Sequence, residues 1–316
     1  MNTIKKINKI VLLLLATVVL SSCSLPGLGG GFDKKGITIT GGTTSEQQIL
    51  GFIVEGMVEH YLDIDAQLIN NLGSSTLNHQ ALIGGDANVS GSRYTGTSLT
   101  GELGLEPITD SDKAYQAVVR GFDQKFDQKW FPSYGFSNTY AFMVTKETAE
   151  KYNLKTISDL KDIISDLNLG ADNSWMERKG DGYQAFVSTY GFDFNRVYPM
   201  QIGLVYDALS ADKMDVVLGY STDGRIKSYD LVVLEDDKHL FPAYDASPVA
   251  THQVLKDYPE LNEVLLRLEG TISTEKMQEL NYQADNDLLE PKTVAQNFLS
   301  ANNYFEDKEV NTKGDE

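Results

Sequence analysis

The sequence predicts an α/β fold in two lobes with a ligand cleft between them. Three observations carry this. Short strand-like runs alternate with amphipathic helices, the pattern of mostly parallel sheets. The body, roughly 37–305 of 316 residues, is long enough for two lobes rather than one. Two segments also look alike: "ALIGGDANVSGSRYTGT" (81–97) and "ALSADKMDVVLGYSTDG" (208–224). Each closes a helix with Ala-Leu, then passes an acidic turn into a strand ending in small residues and a tyrosine. The likeness is too weak for a duplication, but it suggests two lobes presenting a tyrosine from the same kind of strand end.

Taken in order, "GITIT" (36–40) reads as a strand, and "GGTTSEQQILGFIVEGMVEHYL" follows as a turn and a helix. Ile49, Leu50, Ile53, Met57, Val58, Tyr61 and Leu62 recur at the helical period. Ser45 with Gln48 three residues on fits a capping box. A glycine turn between strand and helix offers backbone N–H groups to an anion, at the carboxyl end of a strand where open α/β sheets bind ligands. Most such turns bind nothing. "AQLINNL" reads as a strand, "SSTLNHQALIGG" as a helix, and "DANVSGS" as the strand delivering Tyr94. "DKAYQAVVRGFDQKF" is helical, "YAFMVT" a strand and "TISDLKDIISDL" helical. "NLGADNSW" runs from strand into loop, and helices follow at "GDGYQAFVSTYGF" and "IGLVYDALSADK". "MDVVLGYSTDGRI" is strand into loop and "YDLVVLED" a strand. Three late helices lie around "PELNEVLLRLEG", "STEKMQELNYQAD" and "PKTVAQNFLSA".

The start predicts an address. Lys5, Lys6 and Lys9 precede an apolar run over 10–20 that ends in "LSSC". A basic start, a short apolar stretch and small residues describe a secretory signal peptide. The run is about half the ~20 residues of a spanning helix. "LSSC" resembles the bacterial lipobox, whose cysteine is lipidated and becomes the new N-terminus. Cys23 is the single cysteine of the chain, so it has no partner for an internal disulfide. The expectation is a lipoprotein signal peptide over 1–22, a lipidated Cys23 with a flexible glycine-rich tether to 36, and a charged tail over 306–316. That places the protein on the extracytoplasmic face of a bacterial cell membrane, held by an acyl anchor.

Composition narrows the function. The net charge of −18 argues against nucleic acid, whose binding rests on basic residues neutralising phosphates. It also argues against a peripheral grip on anionic lipid. His60, His79, His239 and His252 are scattered, without HExxH spacing, and there is no CxxC, so no metal site is expected. No P-loop occurs, and the glycines at 27–31 do not follow a strand. "GYSTDG" has its serine in the wrong frame for a nucleophile elbow. The expectation is a protein that is not an enzyme and uses no cofactor.

What is abundant is tyrosine, 16 against 2 tryptophans. Tyr61, Tyr115, Tyr206 and Tyr282 sit at helical spacings, where packing suffices to explain them. Tyr94 in "SRYTGT", Tyr140 in "FSNTYAFMVT", Tyr220 in "LGYSTDGRI" and Tyr244 in "FPAYDASPVA" differ, since each lies where a strand or loop turns among small residues. Each alone is as readily structural as functional.

Together with "NLGSST", "KFDQKW", "RKGDGY", "YPMQIGLVYDAL" and "DLVVLEDDKHLFPAYDASPV", these segments resemble the osmoprotectant-binding lipoproteins of ABC importers over essentially the whole mature chain. The likeness is greatest to the branch taking glycine betaine, carnitine, choline and related solutes. It implies a two-lobed, periplasmic-binding-protein-like fold of type II, with a hinge and a cleft. It implies lobes at 37–142 plus 244–305 and at 143–243. It also implies a cage of four tyrosines, matched by Tyr94, Tyr140, Tyr220 and Tyr244, and partners in a membrane permease and its ATPase.

The chemistry of the ligand fits those residues. A trimethylammonium group has no N–H to give a carboxylate, so ion pairing suits it poorly. Aromatic faces offer apolar area and a negative quadrupole together, at roughly 0.5–2 kcal/mol per ring. A carboxylate tail needs N–H and hydroxyl donors, for which Gly42 and Thr43 of the "GGTT" turn and Thr97 are the candidates. In the resemblance, Thr at position 97 marks broad-specificity members and Asp choline-restricted ones. Relatives often carry Gln where this chain has Gly42, which removes one expected side-chain contact. Two other readings stand beside this one. A binding protein for an amino acid or other polar solute would use a cleft carboxylate such as Asp223 or Asp245. A non-transport surface lipoprotein would need no ligand.

Overall fold

The computed structural model describes residues 36–310 other than Lys179. The expected leader, Cys23, nearly all of the tether and the last six residues of the tail lie outside the described residues. Two five-stranded sheets organise the body. The first has the order β2-β1-β3-β10-β4, with β1 Ile37–Thr40, β2 Ala66–Ile69, β3 Val89–Tyr94, β4 Gln128–Trp130 and β10 Ala246–Thr251. The second has the order β7-β6-β8-β5-β9, from β5 Tyr140–Thr145, β6 Asn168–Asp172, β7 Arg196–Met200, β8 Val216–Tyr220 and β9 Leu231–Val233.

In each sheet the pairs among the early strands are parallel, and one strand runs against its neighbours: β10 in the first, β5 in the second. Those are the two strands that enter after the chain has crossed from the other lobe. The crossing segments lie side by side, joined by a Ser137–Asp245 bridge and by Asn138 N–H donating to Tyr244 C=O at 3.1 Å. All of β5 pairs in the second sheet. The lobe boundary expected at 142 falls inside this strand.

Strand periodicity explains the layering. Along β5, Tyr140, Phe142 and Val144 enter one core with Trp175, Phe186 and Phe194, while Ala141 and Met143 enter another with Val205, Tyr206 and Leu209. Side chains alternate at period two, and both faces are covered by helices, so both sets are apolar. The first sheet does the same. One face packs on helices Ser45–Leu62 and Pro291–Ala301 through Ile49, Ile53, Val294 and Phe298; the other packs Val249 with Phe122, Val118 and Leu99. Truncating Phe142, which is fully buried, would cost about 3–5 kcal/mol.

The three late helices form at Glu260–Leu266, Thr274–Asp285 and Pro291–Ala301. Local differences from expectation have simple causes. The capping box of the first helix uses Thr44 and Gln47, one residue earlier than the Ser45 and Gln48 pair. Strands β4 and β7 carry no alternation legible in sequence; they are edge strands, with fewer neighbours to demand it. Helix Thr95–Thr100 begins directly after Tyr94 where only a small-residue stretch was legible.

Helix Thr274–Asp285 packs beside the loop that leaves β8. Gln278 Nε2 donates to Ser221 C=O and Asn281 Nδ2 to Thr222 C=O, both at 2.8 Å. A Cβ on Gly224 would lie 2.6 Å from the Tyr282 backbone, so this approach requires glycine.

Candidate functional site

A cleft of about 430 Å³ opens between the sheets, and both lobes line it. Tyr94, Thr97, Tyr140, Tyr220 and Tyr244 all face it. Tyr94 ends β3. Tyr140 and Tyr220 are register partners on antiparallel β5 and β8, with ring centroids 5.2 Å apart and planes at 29°. Tyr220 is the rim residue at 39% exposure. Its backbone is held independently of its ring, since the Tyr206 hydroxyl accepts from its N–H at 2.6 Å and donates to its C=O at 3.1 Å. Tyr244 comes from the second crossing segment.

The "YTGT" segment divides its labour by residue. Thr95 fastens the crossing segment: its hydroxyl donates to Ala243 C=O at 2.9 Å and accepts from Asp245 N–H at 3.0 Å. Gly96 leaves room for the Tyr244 ring, which a Cβ there would meet at 2.8 Å. Thr97 turns toward the cleft.

The four hydroxyls stay protonated at neutral pH. Burial, and then the Glu46 carboxylate, push Tyr94 well up. Burial first, then Tyr220 and Asp172, raises Tyr140. Tyr220 and Tyr244 are raised chiefly by burial. The site therefore presents neutral rings rather than phenolates.

Gly42 and Thr43 do not line the cleft; of that turn only Thr44 does. The reason is local. Gln47 Oε1 accepts from Thr43 N–H at 3.2 Å, and Gly41 N–H is donated to Ile69 C=O at 2.9 Å. A Cβ on Gly42 would sit 1.9 Å from Gln47 Oε1. The Gln47 side chain thus fills the space that a residue at 42 would use. The placement does not support the expected contact of Gly42 and Thr43 with a ligand carboxylate.

Arg178 and Glu46 are among the lining residues that escaped the sequence reading. Arg178 grips Asp181 through Nε at 2.8 Å and Nη2 at 2.7 Å, and Nη2 also donates to the Tyr244 hydroxyl at 2.9 Å. Its guanidinium carbon lies 5.5 Å from the Tyr140 ring centroid, so a cation already borders the cage. In sequence it is one arginine in the "RKGDGY" loop, and Asp181 three residues on was the available signal. Glu46, only 4% exposed, accepts from the Tyr94 hydroxyl at 2.6 Å, Asn138 Nδ2 at 2.8 Å and Asn281 Nδ2 at 3.1 Å. In the first turn of a helix it reads merely as an acid that suits the helix dipole.

The aspartates weighed for an amino-acid ligand are otherwise engaged. Asp223 is held by Arg225 Nε and Nη2, each at 2.9 Å. Asp245 accepts from the Ser111 hydroxyl, and burial raises its pKa. Among the described residues no three His, Cys, Asp or Glu side chains cluster as metal ligands, and no helix is long and apolar enough to cross a membrane.

Two α/β lobes, each with a mixed five-stranded sheet, joined by two crossing segments around an aromatic cleft, define a solute-binding protein of the type II arrangement. Over residues 35–301 the chain matches the family described as the substrate binding domain of ABC-type glycine betaine transport systems, and it belongs to that family. It is 54% identical over 298 residues to the carnitine transport binding protein OpuCC of Listeria monocytogenes, covering 94% of this chain and 96% of that one. A crystal structure described as a glycine betaine/carnitine/choline ABC transporter superposes with a TM-score of 0.84 at 57% identity, over 85% of this chain and all of that one. A lactococcal OpuAC, closed around glycine betaine, shares the fold at a TM-score of 0.54 and 16% identity, covering 86% of this chain and 97% of that one. The chain is thus the substrate-binding component of an ABC importer and not an enzyme, which gives it a small-molecule ligand and a permease as partners.

Proposed function

We propose that the protein captures quaternary ammonium osmoprotectants, namely glycine betaine, carnitine, choline and relatives, in a cage of Tyr94, Tyr140, Tyr220 and Tyr244. It passes them to the permease of an ATPase-driven importer. The observation that carries this reading is the convergence of four neutral tyrosines from both sheets and a crossing segment on one cleft. Four rings at roughly 0.5–2 kcal/mol each supply several kcal/mol for a cation that cannot donate an N–H. They leave its tail free to vary.

Thr97 and Arg178 are the donors placed for a carboxylate tail, in the same cleft as the rings. The two crossing segments are the hinge about which the lobes (37–139 with 246–305, and 140–243) close. Ligand held by both lobes shifts the population to the closed form, which the permease receives. Cys23 carries the acyl anchor that keeps the protein at the extracytoplasmic face of the membrane. Cys23→Ala is expected to move the protein from the detergent phase to the aqueous phase on partitioning.

Calorimetric titration with glycine betaine, carnitine, choline and proline tests the cage. At least one quaternary ammonium compound binds, and Tyr94→Ala and Tyr220→Ala each weaken it at least tenfold. Unchanged affinity in both variants would sink the cage.

A further inference from the structure

Four of the carboxylates that line or adjoin the cleft fall into two classes. Asp181 and Asp223 are neutralised at contact distance by Arg178 and Arg225. Glu46 and Asp172, 4% and 6% exposed, form no ion pair among the described residues. Their partners are hydroxyl and N–H donors, and in each case one donor is a cage tyrosine. Tyr94 donates to Glu46 Oε1 at 2.6 Å and Tyr140 to Asp172 Oδ2 at 3.2 Å. Asn138 and Asn281 complete the shell of Glu46, and Trp175 N–H that of Asp172.

We propose that Glu46 and Asp172 are positioning and specificity-determining residues, which place negative charge without an ion-pair partner at the hydroxyl ends of two cage rings, so that the cage selects a cation over its neutral isostere. This rests on the cage reading. A quaternary ammonium cannot hydrogen-bond to a carboxylate, but Coulomb attraction does not require contact, and it strengthens as water is excluded. A phenol that donates to a carboxylate also pushes electron density into its ring, which deepens the quadrupole facing the cation. Both effects vanish for a ligand with carbon in place of nitrogen. Four rings without the carboxylates would grip either ligand through the same apolar area. The geometry allows the charge to be removed with little disturbance. Glu46→Gln keeps Oε1 as the acceptor for Tyr94 and Asn138, and its new amide group faces Asn281 Nδ2, so Asn281 turns its amide to present Oδ1, which has no partner among the described residues. Asn at 172 keeps the helix cap on Trp175 N–H.

The test compares choline with 3,3-dimethylbutan-1-ol, the neutral isostere, by titration and displacement in the wild-type protein, Glu46→Gln and Asp172→Asn. In each variant choline weakens about five- to tenfold while the neutral alcohol changes less than twofold, so their affinity ratio falls at least about 2.5-fold. Equal weakening of both ligands would mean that the carboxylates merely hold the rings, and overturns the proposal; so does a ratio that does not move. Should Glu46→Gln not fold, Asp172→Asn decides alone. Wild-type protein that binds none of choline, glycine betaine and carnitine removes the cage reading and this inference together; if it takes glycine betaine but not choline, 3,3-dimethylbutanoate is the neutral-headed isostere for the same comparison. Choline binding with an unchanged ratio removes this inference only.

Discussion

Replacing Arg178 by Ala separates the two ends of the ligand. Three of the donors on its fork are committed, Nε–H and one Nη2 hydrogen to Asp181 and the other Nη2 hydrogen to Tyr244. That leaves Nη1, with two N–H groups, uncommitted among the described residues and bordering the cleft. A hydrogen bond to a charged group is worth about 1.5–3 kcal/mol. At about 1.4 kcal/mol per decade, loss of one such bond weakens glycine betaine or carnitine roughly ten- to hundredfold. Arg178 is partly exposed, so the lower half of that range applies. Choline, which lacks the carboxylate, keeps its affinity or gains slightly, because a neighbouring cation is gone. The substitution also strands the nearly buried Asp181 without its partner, which destabilises the second lobe. The ratio of betaine to choline affinity cancels that common term and is therefore the quantity to read. Calorimetry on wild-type protein, Arg178→Ala and Arg178→Lys supplies it. A betaine-to-choline ratio within twofold of wild type in Arg178→Ala would refute the assignment of Arg178 to the carboxylate.

Two further outcomes are expected. Thr97→Asp places a carboxylate where a ligand tail is expected, so glycine betaine weakens at least tenfold while choline changes far less; titration of both ligands checks this, and an unmoved ratio counts against Thr97 as a selector. His79 is packed edge-on against Phe126 at 4.3 Å and Phe122 at 5.7 Å, and its Nδ1 has no partner. Burial first, then Arg93, lowers its pKa. Below about pH 6.5, the ordinary histidine value, the unfolded chain binds a proton that the folded chain refuses, so stability is lost as pH falls. Melting curves at pH 7.5 and 5.5 should show a larger drop in Tm for wild type than for His79→Leu; parallel drops would exclude His79 as a source.

Much of the framework was legible because its causes are local. The helical period from Ile49 to Leu62 is a statement about one stripe of one helix, and the continuous apolar run in "YAFMVT" about one strand buried on both faces. Even so, Thr44 rather than Ser45 caps the first helix, because the cap is settled by a backbone angle that composition leaves open. Gly42 and Thr43 stand outside the cleft lining for the same kind of reason. The turn was correctly placed, but the side chain of Gln47 takes its N–H group and its space. A boundary at 142 cuts β5 because that strand is defined by its pairing with β8 and β9, and pairing is invisible in a single strand.

By itself the sequence determined the alternation of strands and helices, the small-residue settings of Tyr94, Tyr140, Tyr220 and Tyr244, and the acidic balance of the chain. These follow from periodicity, turn chemistry and charge, which act between near neighbours. Tertiary structure alone decided that the four rings share one cleft and that Arg178 borders it. It also decided that Glu46 collects donors from Tyr94, Asn138 and Asn281. Those are encounters between residues far apart in the chain. A buried polar group takes whatever partner the packed lobes bring to it, since an unmet one costs about 1–3 kcal/mol.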